Sequence, residues 1–260
     1  MTARAVIELV KANLGVPFNQ GTYRDTFKIG DPDSEVKGIA TTVMTTFDVI
    51  RRTHAAGLNL IISHEDIWWN DRDETKDLTE NPLYKMKAAY CKEHGIVVWR
   101  FHDHQHAKKP DQSIVGSLRS VGIEDETATM GGGKVYTIQE TTLGAFASDI
   151  KKRTGARAFR VVGDPKAKIS RILLGPGYAS PALRQDVDVV IGGESPETDG
   201  AFDNPEYVMD AVTLGIVKGQ IILGHCVSEE PGMEECAKWL RTFVAGVPIQ
   251  FIPAGEPFWT

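Results

Sequence analysis

At 260 residues the chain is long enough for one large domain or two smaller ones, and 42% hydrophobic with 25% charged residues suit a sizeable core. Its 29 lysines and arginines against 35 acidic residues give a formal net charge of -6, which argues against nucleic acid and anionic membranes as partners. The three cysteines, Cys91, Cys226 and Cys236, contain no CxxC pair, so neither a disulfide framework nor a zinc knuckle is expected, and a reducing, cytoplasmic setting is.

The opening "MTARAVIELVKANLGVPF" has helix-like spacing and no uninterrupted apolar stretch, so it reads as neither a signal peptide nor a membrane span. "VKGIATTV" is an expected strand, "MTTFDVIRRTHAA" a helix and "LNLIIS" a second strand. The helix "NPLYKMKAAYCKEHG" stops at a glycine and is followed by the strand "IVVWRF". The alternation predicts an α/β fold with largely parallel or mixed sheets flanked by helices.

The rhythm breaks in "EDETATMGGGKVYTIQE", which sets the expected boundary between domains 1–128 and 129–260. Beyond it come "KVYTIQ", the helix "TTLGAFASDIKKRTG", the strands "AFRVVG", "KISRILLG" and "DVDVVIGG", and the helix "NPEYVMDAVTLG". The strand "QIILG", the helix "MEECAKWLRTFV" and the strand "PIQFIP" close the chain, the last of these a candidate to return to the first domain. The triplet Gly131–Gly133 matches no GxGxxG or P-loop, and "GPGYASP" is too short for a phosphate loop.

Polar residues gather where strands end. "LNLIIS" runs into His64, Glu65 and Asp66, and "IVVWRF" into His102, Asp103, His104 and His106. "DVDVVIGG" ends on Glu194, and "QIILG" on His225 with Glu229 four residues later. Ligands bind beyond the carboxyl ends of strands in open α/β sheets, so one convergent site could explain all four. If the segment after "IVVWRF" is extended, His102, His104 and His106 share one face with Asp103 on the other. Imidazole with carboxylate suits zinc, iron, manganese, nickel or cobalt rather than calcium or magnesium. His54 and His94 fall at helix ends, a normal place for such side chains, and are set aside. Cys226 reads first as a small buried thiol, with a soft metal ligand as the other reading. Glu229 and Glu230 also have a plain reading, as carboxylates ahead of a helix N-terminus.

At "GHCVSEEPG" the pattern resembles the Nif-three-like (NGG-one-interacting factor three) family, dinuclear metal-centre hexamers often given the label type 2 GTP cyclohydrolase I. "TTFDVIRRTHAAGLNLIISHEDIWW" resembles the family segment ending in a His-His pair, and "DVDVVIGGE" its Asp-x-x-x-Thr-Gly-Glu. "TTLGAFASDIKKRTGARAFRVVGDPKAKISRILLGPG" resembles the segment between them. The resemblance implies two intertwined α/β domains in a homo-hexameric ring, with the metal site in the cleft between them. It carries ligand positions onto His64, His225 and Glu229, and places His106 where the family has an aspartate ligand. Ser63 stands where the family has the first histidine of the pair. A hydroxyl is a poor substitute for imidazole on a transition metal, so two ions, one or none all stay open.

The implied activity is metal-dependent hydrolysis of a nucleotide-like or other small molecule by a metal-activated water. His102 is the expected acid/base, since imidazole titrates near neutrality, and Glu65 is the second candidate. The GTP reaction rests on the resemblance alone. The alternative is a non-enzymatic metal-holding, metal-delivery or regulatory scaffold.

Overall fold

The computed structural model describes residues 1–131, 133–178, 183–198 and 204–260. Gly132 of the glycine triplet and residues 179–181 of "GPGYASP" lie outside the described residues. The first elements are α1 (Ala3–Ala12), β1 (Phe27–Ile29), β2 (Ile39–Thr42), α2 (Phe47–Ala55), β3 (Leu60–Ser63), α3 (Pro82–Glu93), β4 (Val97–Arg100) and α4 (Asp103–Ala107). There follow α5 (Gln112–Ser120), β5 (Tyr136–Thr142), α6 (Leu143–Thr154), β6 (Arg160–Gly163) and β7 (Lys168–Gly175). The chain closes with β8 (Val189–Gly192), α7 (Pro205–Thr213), β9 (Gly219–Ile222), α8 (His225–Leu240) and β10 (Ile249–Phe251).

Capping residues set where several helices begin. Thr46 accepts from the Val49 N–H and Thr142 from the Ala145 N–H, each answering an orphan donor of the first turn. Two Asn-Pro pairs do the same for α3 and α7, with Asn81 and Asn204 as caps and proline in the first turn. Gly155 ends α6 in the left-handed conformation at φ 67, where a side chain would be strained.

By its contacts the chain divides into two units, Met1–Gln112 with Gly232–Ala254, and Ser113–Pro231 with Gly255–Thr260. The break expected at 128/129 falls inside the second unit. Ile114, Val115 and Leu118 of α5 bury against Ala128, with Tyr136 and Leu174 packed on them, so residues on both sides of 128/129 share one cluster.

The first unit holds a five-stranded sheet in the order β1-β4-β3-β2-β10. β10, β2, β3 and β4 are parallel neighbours, and β1 is antiparallel to β4. Every residue of β2, β3 and β4 is buried, which is why these strands read as continuous apolar runs rather than alternating ones. Val49 and Ile50 of α2 pack with Ile61 and Val98 of the strands and with Trp68 and Cys91.

The second unit holds another five-stranded sheet, ordered β5-β7-β8-β9-β6. β7, β8 and β9 are parallel, while β5 and β6 are antiparallel at the edges. Leu143, Phe146 and Ile150 of α6 cover Ile172, Ile191 and Ile221. The result is an α/β fold with two mixed sheets flanked by helices, as the alternation predicts.

Asp188 ties three strands of the second sheet together. Its carboxylate accepts from the backbone N–H groups of Ser170 (2.8 Å) and Arg171 (2.9 Å), and lies 3.3 Å from Lys218. Burial alone would raise its pKa, but these donors and the Arg171 guanidinium hold it down at about 2. Its folded pKa is thus below the unfolded value of about 3.9, so the stability it contributes is present above pH ~4 and lost between about pH 4 and 2. Asp188→Asn should flatten that part of the stability–pH curve, measured by urea unfolding. An unchanged slope would remove Asp188 as its source.

All three cysteines are buried and free. Burial first, then Glu230, pushes the Cys226 thiol far up, and its Sγ sits 3.3 Å from the Gly255 carbonyl oxygen, as a small buried thiol does. Among the described residues no helix is long and apolar enough to cross a membrane.

Candidate metal centre

Ser63 and Arg100 are register partners at the carboxyl ends of β3 and β4. His64 therefore leaves one strand beside the point where His102 leaves the other. The segment after β4 is not extended: residues 103–107 form the short helix α4, with His102 at its N-terminal boundary. At 3.6 residues per turn His102 and His106 share a face and His104 points elsewhere, which corrects the expectation that all three align.

The grouping that results is His64, His102 and His106, each offering one ligand atom, with all three atoms within 4.8 Å of one another. The ring centroids are 4.7 Å apart for His64 and His102, 4.9 Å for His64 and His106, and 4.9 Å for His102 and His106. Each ring is oriented from its Nδ1. His64 Nδ1 lies 3.1 Å from the Phe101 carbonyl oxygen and 2.9 Å from Gln105 Oε1. His102 Nδ1 lies 3.0 Å from Asp103 Oδ1, and His106 Nδ1 3.0 Å from Asp111 Oδ2. These neighbours are oxygen acceptors, so each Nδ1 carries the proton and each Nε2 the lone pair. That is the tautomer a metal-binding imidazole needs.

Burial first, and then His64, hold the His102 pKa down at about 4, against the opposing pull of Glu65. At neutral pH His102 is therefore an uncharged imidazole, the form in which the ring can serve as a ligand. A donor set of three imidazole nitrogens fits a transition metal.

His104 does another job. Its Nε2 accepts from the Asn19 N–H at 2.8 Å, its ring stacks on Phe18 with centroids 4.2 Å apart, and its Nδ1 donates to Asp25. Asp25 also accepts from the backbone N–H groups of His102 (2.6 Å), Asp103 (3.0 Å) and His104 (2.8 Å). A helix of five residues is too short to hold itself. Asp25, distant in sequence, caps it and so presents His102 and His106. No local pattern announces this role, nor those of Gln105 and Asp111.

Ser63 is buried, and its Oγ donates to the Glu65 carbonyl oxygen at 2.9 Å, so the hydroxyl serves the backbone turn. Glu65 pairs through Oε2 with Arg100 at 2.9 Å, while Oε1 stands 3.7 Å from His102 Nε2. Arg100 is buried and also donates to the carbonyl oxygens of His64 (3.1 Å) and Asp71 (2.6 Å), which fixes the loop after β3.

In the second unit His225 opens α8, eight residues earlier than the helix read from sequence. Pro231 and Gly232 look like a stop, yet the helix runs through them. His225 and Glu229 are consequently one turn apart, with Nε2 and Oε2 at 3.0 Å, and Glu194 lies 3.5 Å from His225 Nδ1. Glu229 therefore lies inside this helix, not ahead of it. Two glycines make the fit. A Cβ at Gly177 would lie 2.4 Å from Glu229 Oε1, and one at Gly193 would lie 2.2 Å from the Gly177 carbonyl oxygen. Ser228 Oγ accepts from the Gly177 N–H at 2.9 Å and donates to the His225 carbonyl oxygen at 2.7 Å. His225 and Glu229 thus form a preset imidazole–carboxylate pair. His54 and His94 stack on each other at helix ends, away from this chemistry.

A sequence profile of the Duf34/NIF3 (NGG1p interacting factor 3) family matches residues 1–257. No curated protein matches the chain in sequence. Among solved structures, Staphylococcus aureus protein SA1388 superposes with a TM-score of 0.75 at 18% identity, covering 100% of this chain and 99% of that one. A Bacillus cereus protein related to NIF3 gives 0.75 at 14% identity, with the same coverage of 100% and 99%. Reduced HcgD from Methanocaldococcus jannaschii gives 0.60 at 16% identity over 96% of this chain and 97% of that one. At these identities the superpositions speak for the fold.

Proposed function

The chain belongs to the Duf34/NIF3 family, and from that premise we propose that it holds a divalent transition metal and uses it to hydrolyse a small molecule. The observation that carries the reading is the triangle of His64, His102 and His106, each ring turned by an oxygen at its Nδ1. Zinc, iron, manganese or nickel suits such donors, and when bound supplies Lewis acidity toward water and a carbonyl or phosphoryl oxygen.

The rest falls to the chain itself. His64, His102 and His106 hold the ion, and Asp103, Asp111 and the Phe101 carbonyl oxygen keep their tautomers. Glu65 is the group assigned to accept a proton at Oε1, with Arg100 holding its other oxygen. In the second unit the family resemblance assigns ligand roles to His225 and Glu229, which stand 3.0 Å apart. Hexameric assembly and a cytoplasmic location belong to the same reading. The family resemblance supports the first and the free thiols the second, and sedimentation velocity checks the hexamer.

The test is hydrolysis of 4-nitrophenyl phosphate and 4-nitroacetanilide by tag-free protein, before and after chelation and with zinc, manganese, iron or nickel restored. Turnover is expected only with metal, and Glu65→Gln should lose it while keeping the metal. Turnover that survives chelation would sink the metal mechanism. Metal retained with no turnover of either compound would return the chain to the metal-holding alternative.

A further inference from the structure

In the second unit the residues after β8 and β9 open onto a cavity of about 650 Å³. This is the place beyond the carboxyl ends of parallel strands where α/β sheets take ligands, and the size is that of a small-molecule site. Four aromatic side chains line it: Phe159, Tyr178, Phe258 and Trp259. Tyr178 is 75% exposed and Trp259 81% exposed, so these large rings are left to solvent around one hollow.

The polar groups are few. Arg160, also on the wall, is answered by Glu197 at 3.0 Å. Ser195 and Thr260 also reach the wall, the latter donating to the Arg157 carbonyl oxygen at 3.1 Å, and the ionisable end is His225 and Glu194, 3.5 Å apart. Gly224 adjoins them at φ +89, and a Cβ there would meet nothing within 4 Å, so the wall is bare backbone where the cavity approaches the start of α8. Flat apolar contact on several sides with one carboxylate acceptor at the end selects a particular chemistry.

We infer that this cavity binds a planar aromatic ring bearing an amide or amine N–H, the ring among Phe159, Tyr178, Phe258 and Trp259 and the N–H on Glu194. Aromatic stacking supplies the affinity, and the Glu194 carboxylate supplies the orientation. The polar end of such a ligand would then sit beside His225. The substrate class this implies, an aryl amide or a related aromatic compound, rests on the hydrolase reading; the binding does not.

Calorimetric titration with 4-nitroacetanilide tests it, with ring-free acetamide as the control. Saturable binding of the anilide and none of acetamide is expected, before and after chelation. Trp259→Ala and Phe258→Ala, both exposed positions, should each weaken binding about tenfold. Variants that bind as tightly as the unaltered chain, acetamide binding equal to the anilide, or no saturable anilide binding up to its solubility would overturn the inference. Release of 4-nitroaniline is read separately. Binding without release leaves the ring site standing and counts against the hydrolase reading alone.

Discussion

Asp25→Ala is expected to cost roughly 3–5 kcal/mol of stability, the range for removing one partner from a buried charged network. Its two carboxylate oxygens accept from three consecutive backbone N–H groups, His102, Asp103 and His104, and from the His104 ring. Alanine leaves those donors buried without their acceptor, each a penalty of about 1–3 kcal/mol. Asp25→Asn should cost less, because one amide oxygen can still accept. The measurement is the urea midpoint of both variants. A loss within about 0.5 kcal/mol for alanine, the size of an ordinary surface substitution, would mean α4 does not depend on Asp25.

His64→Ala is expected to weaken zinc binding by at least about a hundredfold. Loss of an outer hydrogen-bond partner of a metal ligand costs 10–100-fold in affinity, and loss of the ligand itself exceeds that. Asp111→Asn supplies the scale, since it alters only the group facing His106 Nδ1. Competition against a chromogenic chelator reads both. Equal affinities in His64→Ala and the unaltered chain would exclude His64 as a ligand.

Much of the fold was legible because buried parallel strands announce themselves. "LNLIIS" and "IVVWRF" coincide with β3 and β4, whose residues are all buried. The helices expected over "NPLYKMKAAYCKEHG" and "NPEYVMDAVTLG" likewise coincide with α3 and α7. What failed was local pattern over short or interrupted segments. α4 is five residues long, shorter than the window in which a 3.6-residue period can be seen, so an extended segment with its three histidines on one face is the expectation there. The Pro231-Gly232 pair hid the first turns of α8 and with them the one-turn spacing of His225 and Glu229.

The three histidines of "FHDHQH" divide into two groups. His102 and His106 join His64, while His104 anchors the helix through Asp25 and Asn19. The residues that orient the site were not legible at all, since Asp25 lies 77 positions from the His102 N–H it holds. Such contacts are made by the fold and leave no spacing to read. The aromatic cavity is similar, because Phe159, Tyr178 and Trp259 come from three distant segments.

The central claim is that these imidazoles hold a metal ion. Elemental mass spectrometry on tag-free, dialysed protein, beside the double variant His64→Ala/His106→Ala, tests it most directly. At least about one equivalent of a transition metal per chain is expected, falling close to zero in the double variant. Metal near zero in both, and not restored by added zinc, manganese, iron or nickel, would contradict the claim.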